Sequence, residues 1–166
     1  MEFKREVIIQ KSIEEVWEVL GNQYSEAYQW ASGLYHSEGT GAPKIEGASC
    51  DRRSCDTSQG KIKEVIRIFD PQRYILSYEV IEGFPSFVYS GINTWRLSPQ
   101  GNHSKVTMHL VIKTSGLLGF FMAPMMKLQL QGVLKNVTED LRHYVEKGRP
   151  SPRKAKEMKR LQKKAA

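Results

Sequence analysis

Cysteine is scarce in this sequence, and it contains none of the common motifs of catalysis or cofactor binding. Cys50 and Cys55 are its only cysteines, and no second pair or nearby histidine completes a zinc site. There is no G-x-S-x-G, no phosphate-binding loop, no dinucleotide fingerprint and no H-E-x-x-H. The sequence therefore predicts no metal and no cofactor, gives no support for nucleophilic catalysis, and favours two reduced thiols.

Long hydrophobic runs are also lacking. The most apolar stretch, "GLLGFFMAPMM" at Gly116–Met126, has eleven residues before Lys127, whereas a membrane-spanning helix needs about 20. The opening "MEFKREVIIQKS" carries charges where a signal peptide has its apolar core. With 40% hydrophobic residues in 166, we expect one globular domain in the cytoplasm.

Positive charge is concentrated at the C-terminal end. Residues 147–166 hold nine Lys or Arg and one acidic residue, for a net charge of +8. The preceding 146 residues hold 16 basic and 17 acidic residues, so they are nearly neutral. The overall charge of +7 therefore predicts no specific nucleic-acid surface on the domain. We expect a domain at 1–148 and a flexible basic tail at 149–166, which either is a solvated extension or binds anionic lipid or nucleic-acid backbone non-specifically.

The hydrophobic periodicity predicts an α+β fold. An apolar strand in "EFKREVIIQK" is followed by two short helices, the first with the capping-box pattern Ser12-x-x-Glu15. About six strands then alternate with turn signals every ten to twelve residues, which is typical of an antiparallel meander. A helical period from Pro124 to Lys147 predicts one long amphipathic helix. The gap left where one helix covers a curved sheet predicts a ligand cavity.

Four segments in this order resemble the START-type helix-grip superfamily, which includes pollen-allergen-like proteins and the polyketide cyclase/dehydrase and lipid-transport family. "VIIQKSIEEVWEVLGN" is similar to the family's opening strand and helix, with Val16-Trp17 at its centre. "GKIKEVIRIFDPQRYILSYEVIEG" resembles its central hairpin, through Glu64-Val65-Ile66, Asp70-Pro71 and the Tyr-containing strand that follows. "SGINTWRLSPQGNHSKVTMHLVI" resembles the next hairpin, with Thr94-Trp95 before a Gly turn. The resemblance covers roughly residues 3–147.

This resemblance implies a curved antiparallel sheet of six to seven strands wrapped around the long C-terminal helix. It also implies that a small hydrophobic or amphipathic ligand, such as a lipid or polyketide-like molecule, binds between the two. It implies no particular reaction, because the fold hosts carriers, sensors and enzymes alike. Two alternatives stay open: a cyclase/dehydrase- or hydrolase-type enzyme, and a protein-interaction module with a basic tail. Ligand identity and oligomeric state also stay open.

Glu64 is the candidate for chemistry inside the cavity. Alternation places it between Ile62 and Ile66 on the apolar face, so its carboxylate is predicted to point inward. A buried carboxylate must be paired or protonated, and Arg52 or Arg53 on the neighbouring strand is the expected partner. Glu64 is therefore predicted either to act as an acid or base or to form a structural ion pair.

The remaining candidates are residues whose strand or helix phase could face the cavity. Aromatic side chains with one polar atom suit a ligand that carries a ring, although half-buried sheets use such residues as well. The complete predicted ligand-binding set is Arg52, Glu64, Ile66, Tyr78, Tyr89, Asn93, Trp95, Phe121, Met125 and Leu128.

The apolar stretch Gly116–Met126 is predicted to form a mobile loop at one mouth of the cavity. Its phenylalanines and methionines could line the site or fill the core. A third interpretation is a weak contact with an anionic membrane surface, made by this loop together with the basic tail.

Overall fold

The fold is an open antiparallel sheet of seven strands with a long helix packed on one face. The computed structural model describes residues 1–165. The strand order is β1-β7-β6-β5-β4-β3-β2, so every neighbour except β1 with β7 is also a neighbour in sequence. The strands are β1 Glu2–Ile9, β2 Leu34–Thr40, β3 Arg52–Thr57, β4 Gly60–Asp70, β5 Ile75–Glu82, β6 Val88–Gln100 and β7 His103–Thr114; the helices are α1 Ile13–Trp17, α2 Gly116–Lys147 and α3 Pro152–Ala165. The predicted sheet, short helices and long helix are confirmed.

The segment between β1 and β2 contains three short helical turns of different kinds. The capping box at the start of α1 is present, because Ser12 Oγ accepts from the Glu15 N–H and the Glu15 carboxylate accepts from the Ser12 N–H. A π turn follows at Glu18–Asn22, and the second predicted short helix, Tyr24–Gln29, is a 3₁₀ helix. Every third residue from Tyr24 to Trp30 is buried, which matches the period of a 3₁₀ helix.

Strand β4 contains an irregularity that reverses its alternation. Strict alternation along β4 would place Ile62, Glu64, Ile66 and Ile68 on one face. The register with β5 shifts between Ile66 and Ile68, as it does at a β-bulge. Ile68 is exposed as a result, and Phe69 is buried in its place. Glu64 and Ile66 precede the shift and keep their predicted inward direction, since both are buried.

Helix α2 begins eight residues before the predicted start at Pro124. Ser115 is extended and precedes the first helical residue, Gly116, so the predicted mobile loop is helical. Pro124 is the ninth helical residue and is exposed. The C-terminal half of α2 buries Leu134 and Leu141 in the core, whereas most of the N-terminal half stays exposed.

The basic segment after Gly148, predicted as a flexible tail, contains helix α3. Gly148 ends α2 in the left-handed conformation at φ 64°, which suits glycine at this position. The first turn of α3 is fixed to the domain by Lys154, whose fully buried Nζ donates to the Leu34 carbonyl at 2.6 Å and to Glu157 at 2.7 Å. Glu157 in turn accepts from the Gly33 N–H at 2.8 Å.

Asp140 on α2 connects α3 to the domain, and its replacement tests that connection. Its buried carboxylate accepts from Ser151 Oγ at 2.5 Å, from the Ser32 N–H at 3.0 Å and from Arg153 Nη2 at 3.2 Å. We expect Asp140→Ala to lower the free energy of unfolding by about 2–3 kcal/mol, because a charged acceptor is removed from buried donors. Hydrogen exchange of residues 151–158 should rise at the same time. Asp56→Ala, at a half-exposed carboxylate of β3 that pairs with Lys61 on β4, is the control. Unchanged exchange in α3 would show that Asp140 does not hold it.

Candidate functional site

A buried ion pair joins strands β3 and β4 on the inner face of the sheet. Arg53 on β3 is the direct cross-strand partner of Glu64 on β4. Its Nε and Nη2 both donate to Glu64 Oε2, at 2.9 and 2.6 Å, and both side chains are about 95% buried. The structure thus selects Arg53 over Arg52 as the partner. Arg52 points to the opposite face and its exposed side chain pairs with Asp51 at 3.3 Å.

Two further side chains share the same carboxylate oxygen. The Tyr24 hydroxyl donates to Glu64 Oε2 at 2.9 Å, and the Cys55 thiol lies 3.8 Å from it. Arg53 Nη1 donates to the Tyr24 carbonyl at 2.5 Å, which ties the 3₁₀ helix to the sheet. All of these contacts reach Oε2, so Oε1 accepts no hydrogen bond from the described residues.

A second polar group lies beside the ion pair on strands β5 and β6. Asn93 Nδ2 donates to the Tyr78 hydroxyl oxygen at 2.7 Å, and the Trp95 indole N–H lies 3.4 Å from the same oxygen. Asn93 Oδ1 is buried and has no hydrogen-bond partner among residues 1–165. The Tyr78 hydroxyl accepts in these contacts and donates in none. The Tyr78 O–H donor and the Asn93 Oδ1 acceptor therefore lie close together, and neither is used.

The Arg53 guanidinium joins the two groups into one cluster. Its Cζ lies 3.8 Å from the centre of the Tyr24 ring and 5.4 Å from that of Tyr78. The two tyrosine rings are 5.4 Å apart and tilted by 49°. A cation over aromatic faces gains electrostatic attraction, which is strongest where water is excluded. This arrangement fixes the position of the Tyr78 ring relative to Glu64.

Burial and the ion pair set the protonation states in the cluster. Burial opposes the Arg53 charge, but the attraction of Glu64 outweighs it and raises the pKa of Arg53 well above its usual range. Burial, aided by the Glu64 charge, raises the pKa of Tyr78 and also that of Tyr24. Burial is likewise the main reason that the pKa of the Cys55 thiol rises to about 12. At neutral pH both phenols and this thiol are therefore protonated hydrogen-bond donors.

The structure brings five of the ten predicted site residues together on the inner face. These are Glu64, Ile66, Tyr78, Asn93 and Trp95, and all but the half-buried Tyr78 are buried. The other five, Arg52, Tyr89, Phe121, Met125 and Leu128, lie on exposed surfaces instead. Tyr89 is exposed at the start of β6, where the pairing with β7 is irregular.

The three predicted α2 residues are exposed for a different reason. Phe121, Met125 and Leu128 lie on the side of α2 that faces away from the sheet. The side that carries buried Gly119 and Leu134 faces the sheet instead. A sequence in which both sides of a helix are apolar does not indicate which side is covered.

Sequence reasoning missed Tyr24 and Cys55 as members of the cluster. The hydrogen bond of Tyr24 to Glu64 spans 40 residues of chain and has no local signal. For Cys55 there was a usable signal, since it lies two residues after Arg53 and therefore on the same face of β3. Cys50 and Cys55 are both buried and free.

Beneath the N-terminal half of α2, several apolar side chains of the sheet and the helix are only half-buried. They are Tyr78, Val80 and Leu110 on the sheet, and Met122, Met126 and Leu130 on α2. A separate pocket of about 440 Å³ lies between β1, the C-terminal half of α2 and the start of α3. No cluster of His, Cys, Asp or Glu suited to a metal ion is found among residues 1–165.

This sheet and helix define a helix-grip protein with a polar cluster in its interior. The chain belongs to the polyketide cyclase / dehydrase and lipid transport family, whose sequence profile matches residues 1–146. A search of curated proteins found no match.

Solved structures support the same fold. The ZhuI aromatase/cyclase from Streptomyces sp. R1128 is similar with a TM-score of 0.72 and 13% identity, over 88% of this chain and 93% of that one. A START superfamily protein from Mycobacterium smegmatis has a TM-score of 0.70 at 15% identity, covering 87% and 97%. Ginseng major latex-like protein 151 from Panax ginseng has a TM-score of 0.64 and 14% sequence identity, over 87% of this chain and 96% of that one. At these identities the likeness concerns the fold. Family and fold together indicate either hydrophobic-ligand binding or a cyclase/dehydrase-type role.

Proposed function

We propose that this protein binds a small, mainly apolar molecule carrying a hydroxyl group, in the interior between the sheet and α2. The observation that carries the proposal is the unused hydrogen-bonding capacity of Tyr78 and Asn93, next to the buried ion pair and to half-buried apolar side chains. Buried polar atoms without partners are rare in folded proteins and are explained where a ligand or water completes them.

A hydroxyl group matches both unused atoms. Its oxygen accepts from the Tyr78 phenol, and its hydrogen is donated to Asn93 Oδ1. Rotation of the Asn93 amide by 180° exchanges its donor and acceptor, and a hydroxyl group can bind in either case. The half-buried side chains of Val80, Leu110 and Leu130 supply apolar contact for the rest of the molecule.

Binding is favoured over acid–base catalysis by the surroundings of Glu64. Three donors from Arg53 and Tyr24 fix the Glu64 carboxylate through Oε2, which leaves only Oε1 for the substrate proton that a general base must take. Tyr78 and Asn93, by contrast, offer a donor and an acceptor side by side. The Arg53–Glu64 pair holds the Tyr24 and Tyr78 rings in place. Its role in the proposed site is to position these rings.

The test compares two ligands that differ in one hydroxyl group, 2-naphthol and naphthalene, by fluorescence titration. We expect 2-naphthol to bind about tenfold more tightly, because naphthalene leaves the polar atoms without partners. This preference should disappear in Tyr78→Phe. It should persist in Tyr89→Phe, the same change at an exposed tyrosine of β6. Equal binding of the two ligands to the unaltered protein, or no binding of either, would contradict the proposal.

A further inference from the structure

The outer side of the N-terminal half of α2 is an exposed apolar surface. Leu117, Phe121, Pro124 and Leu128 follow one another at intervals of four, three and four residues, so they form one stripe along the helix. Leu117 is 79% exposed, Phe121 72% and Leu128 76%. Leu118, Phe120 and Met125 widen the stripe on its two sides, and all are exposed. We call these seven residues the outer stripe.

The inner side of the same helical segment is apolar as well. Gly119 is buried, Met122 and Met126 are half-buried, and Leu130 packs against the core. A helix that is apolar on all sides is suited to being covered on all sides. The sheet covers the inner side, so the sequence pattern requires a second apolar environment for the outer stripe.

A bilayer surface is a better match to α2 than a position across the membrane. One 18-residue window of α2 has a mean hydropathy of 1.3 and is only 11% buried, so by length and composition alone it qualifies as a span. However, the C-terminal half of α2 is held in the domain core through Leu134 and Leu141. A helix that is anchored in a domain at one end lies in the membrane–water interface, with its exposed apolar side in the lipid.

The charges near the outer stripe are positive. From Thr114 to Thr138 the sequence contains no Asp or Glu, whereas Lys127 and Lys135 are present. Helix α3 adds six exposed cations, Arg153, Lys156, Lys159, Arg160, Lys163 and Lys164. Its Met158 and Leu161 are half-buried on the opposite side.

Helix α3 is fixed close to the end of the outer stripe. Arg153 Nη1 donates to Asn136 Oδ1 at 2.5 Å. Asn136 is eight residues beyond Leu128, or about 12 Å along α2. The cationic side of α3 therefore starts within about two helical turns of the apolar surface.

We propose that the outer stripe and the cationic side of α3 together bind the surface of an anionic lipid bilayer. An apolar surface gives weak and reversible membrane binding by itself, and cations near anionic headgroups supply the second contribution that firm binding needs. A second copy of the chain is a poorer occupant, because its own cations would oppose these at the interface. The inference does not depend on the ligand proposed above.

The test is co-sedimentation of the full chain with vesicles. We expect binding to phosphatidylcholine vesicles with about 30% phosphatidylglycerol to be about tenfold stronger than to phosphatidylcholine alone, and to weaken as salt is raised. Leu117→Gln/Phe121→Gln/Leu128→Gln should reduce binding to the anionic vesicles by about tenfold or more. Lys156→Gln/Lys159→Gln/Lys163→Gln should remove most of the preference for phosphatidylglycerol.

Two matched variants control for general changes in polarity and charge. Ile8→Gln/Ile68→Gln/Ile81→Gln alters three exposed apolar residues of the sheet, and Lys4→Gln/Lys44→Gln/Lys61→Gln removes three exposed cations elsewhere. Both should stay within about twofold of the unaltered protein. The proposal is overturned if the unaltered protein does not sediment, or if the outer-stripe variant binds as well as its control. It is also overturned if sedimentation velocity shows a dimer that the outer-stripe variant dissociates. Binding of 2-naphthol without vesicles, measured on the same variants, keeps the two proposals distinguishable.

Discussion

Replacing Arg53 with methionine is expected to lower the free energy of unfolding by about 3–5 kcal/mol, because it leaves Glu64 as an unpaired carboxylate in the core. Both side chains are about 95% buried, and two guanidinium nitrogens bond to one carboxylate oxygen. Urea denaturation measures the change. The double variant Arg53→Met/Glu64→Gln should recover much of the loss, since glutamine is neutral and can still accept from Tyr24.

The pair Arg67–Glu79 provides a matched control for this prediction. Arg67 Nε and Nη2 both donate to Glu79 Oε2, at 2.8 and 2.6 Å, which is the same geometry as in the buried pair. The Arg67 side chain, however, is 52% exposed. We expect Arg67→Met to lower the free energy of unfolding by less than about 1 kcal/mol, because solvent screens an exposed ion pair. Similar losses in the two variants would mean that burial does not set the strength of the Arg53–Glu64 pair.

Replacing Trp95 with alanine is expected to destabilise the fold by about 3–5 kcal/mol, the range for removing a large buried aromatic side chain. Trp95 is 2% exposed and lies in the middle of β6, between Leu76 on β5 and Met108 on β7. The substitution leaves a cavity beside Tyr78 and removes the indole N–H near its hydroxyl. Thermal and urea unfolding measure the loss.

Tyr89→Ala is the comparison on the same strand. Tyr89 is 64% exposed, so its truncation should change stability by no more than about 0.5–1 kcal/mol. Trp95→Phe should retain part of the packing, so its loss of stability should lie between those of Trp95→Ala and Tyr89→Ala. An effect of Trp95→Ala as small as that of Tyr89→Ala would show that the inner face of β6 is not part of the core.

The two proposals concern opposite sides of one helical segment. The interior site uses the inner side of α2 near Leu130, and the bilayer contact uses the outer stripe. The Tyr78→Phe and outer-stripe variants separate them, because the first changes a side chain of the interior and the second changes side chains 72–79% exposed.

The arrangement of elements could be predicted from the sequence because its signals are local. Alternation in "GKIKEVIRIF" indicates a strand, the Ser12–Glu15 capping box indicates a helix start, and the helical period before Gly148 indicates a long final helix. The inward direction of Glu64 followed from the same alternation and is confirmed. Phe69 could not be placed in this way, because the register shift after Ile66 depends on pairing with β5.

What the sequence determined by itself was the class of fold, the inward carboxylate of Glu64 and the concentration of cations at the C-terminal end, since each depends on the period or composition of a single segment. Only the tertiary structure decided that Arg53 is the partner of Glu64, that Tyr24 shares it, and which side of α2 is covered. Those outcomes depend on contacts between distant segments. An apolar side chain is equally compatible with a core and with an exposed surface until its neighbours are in place.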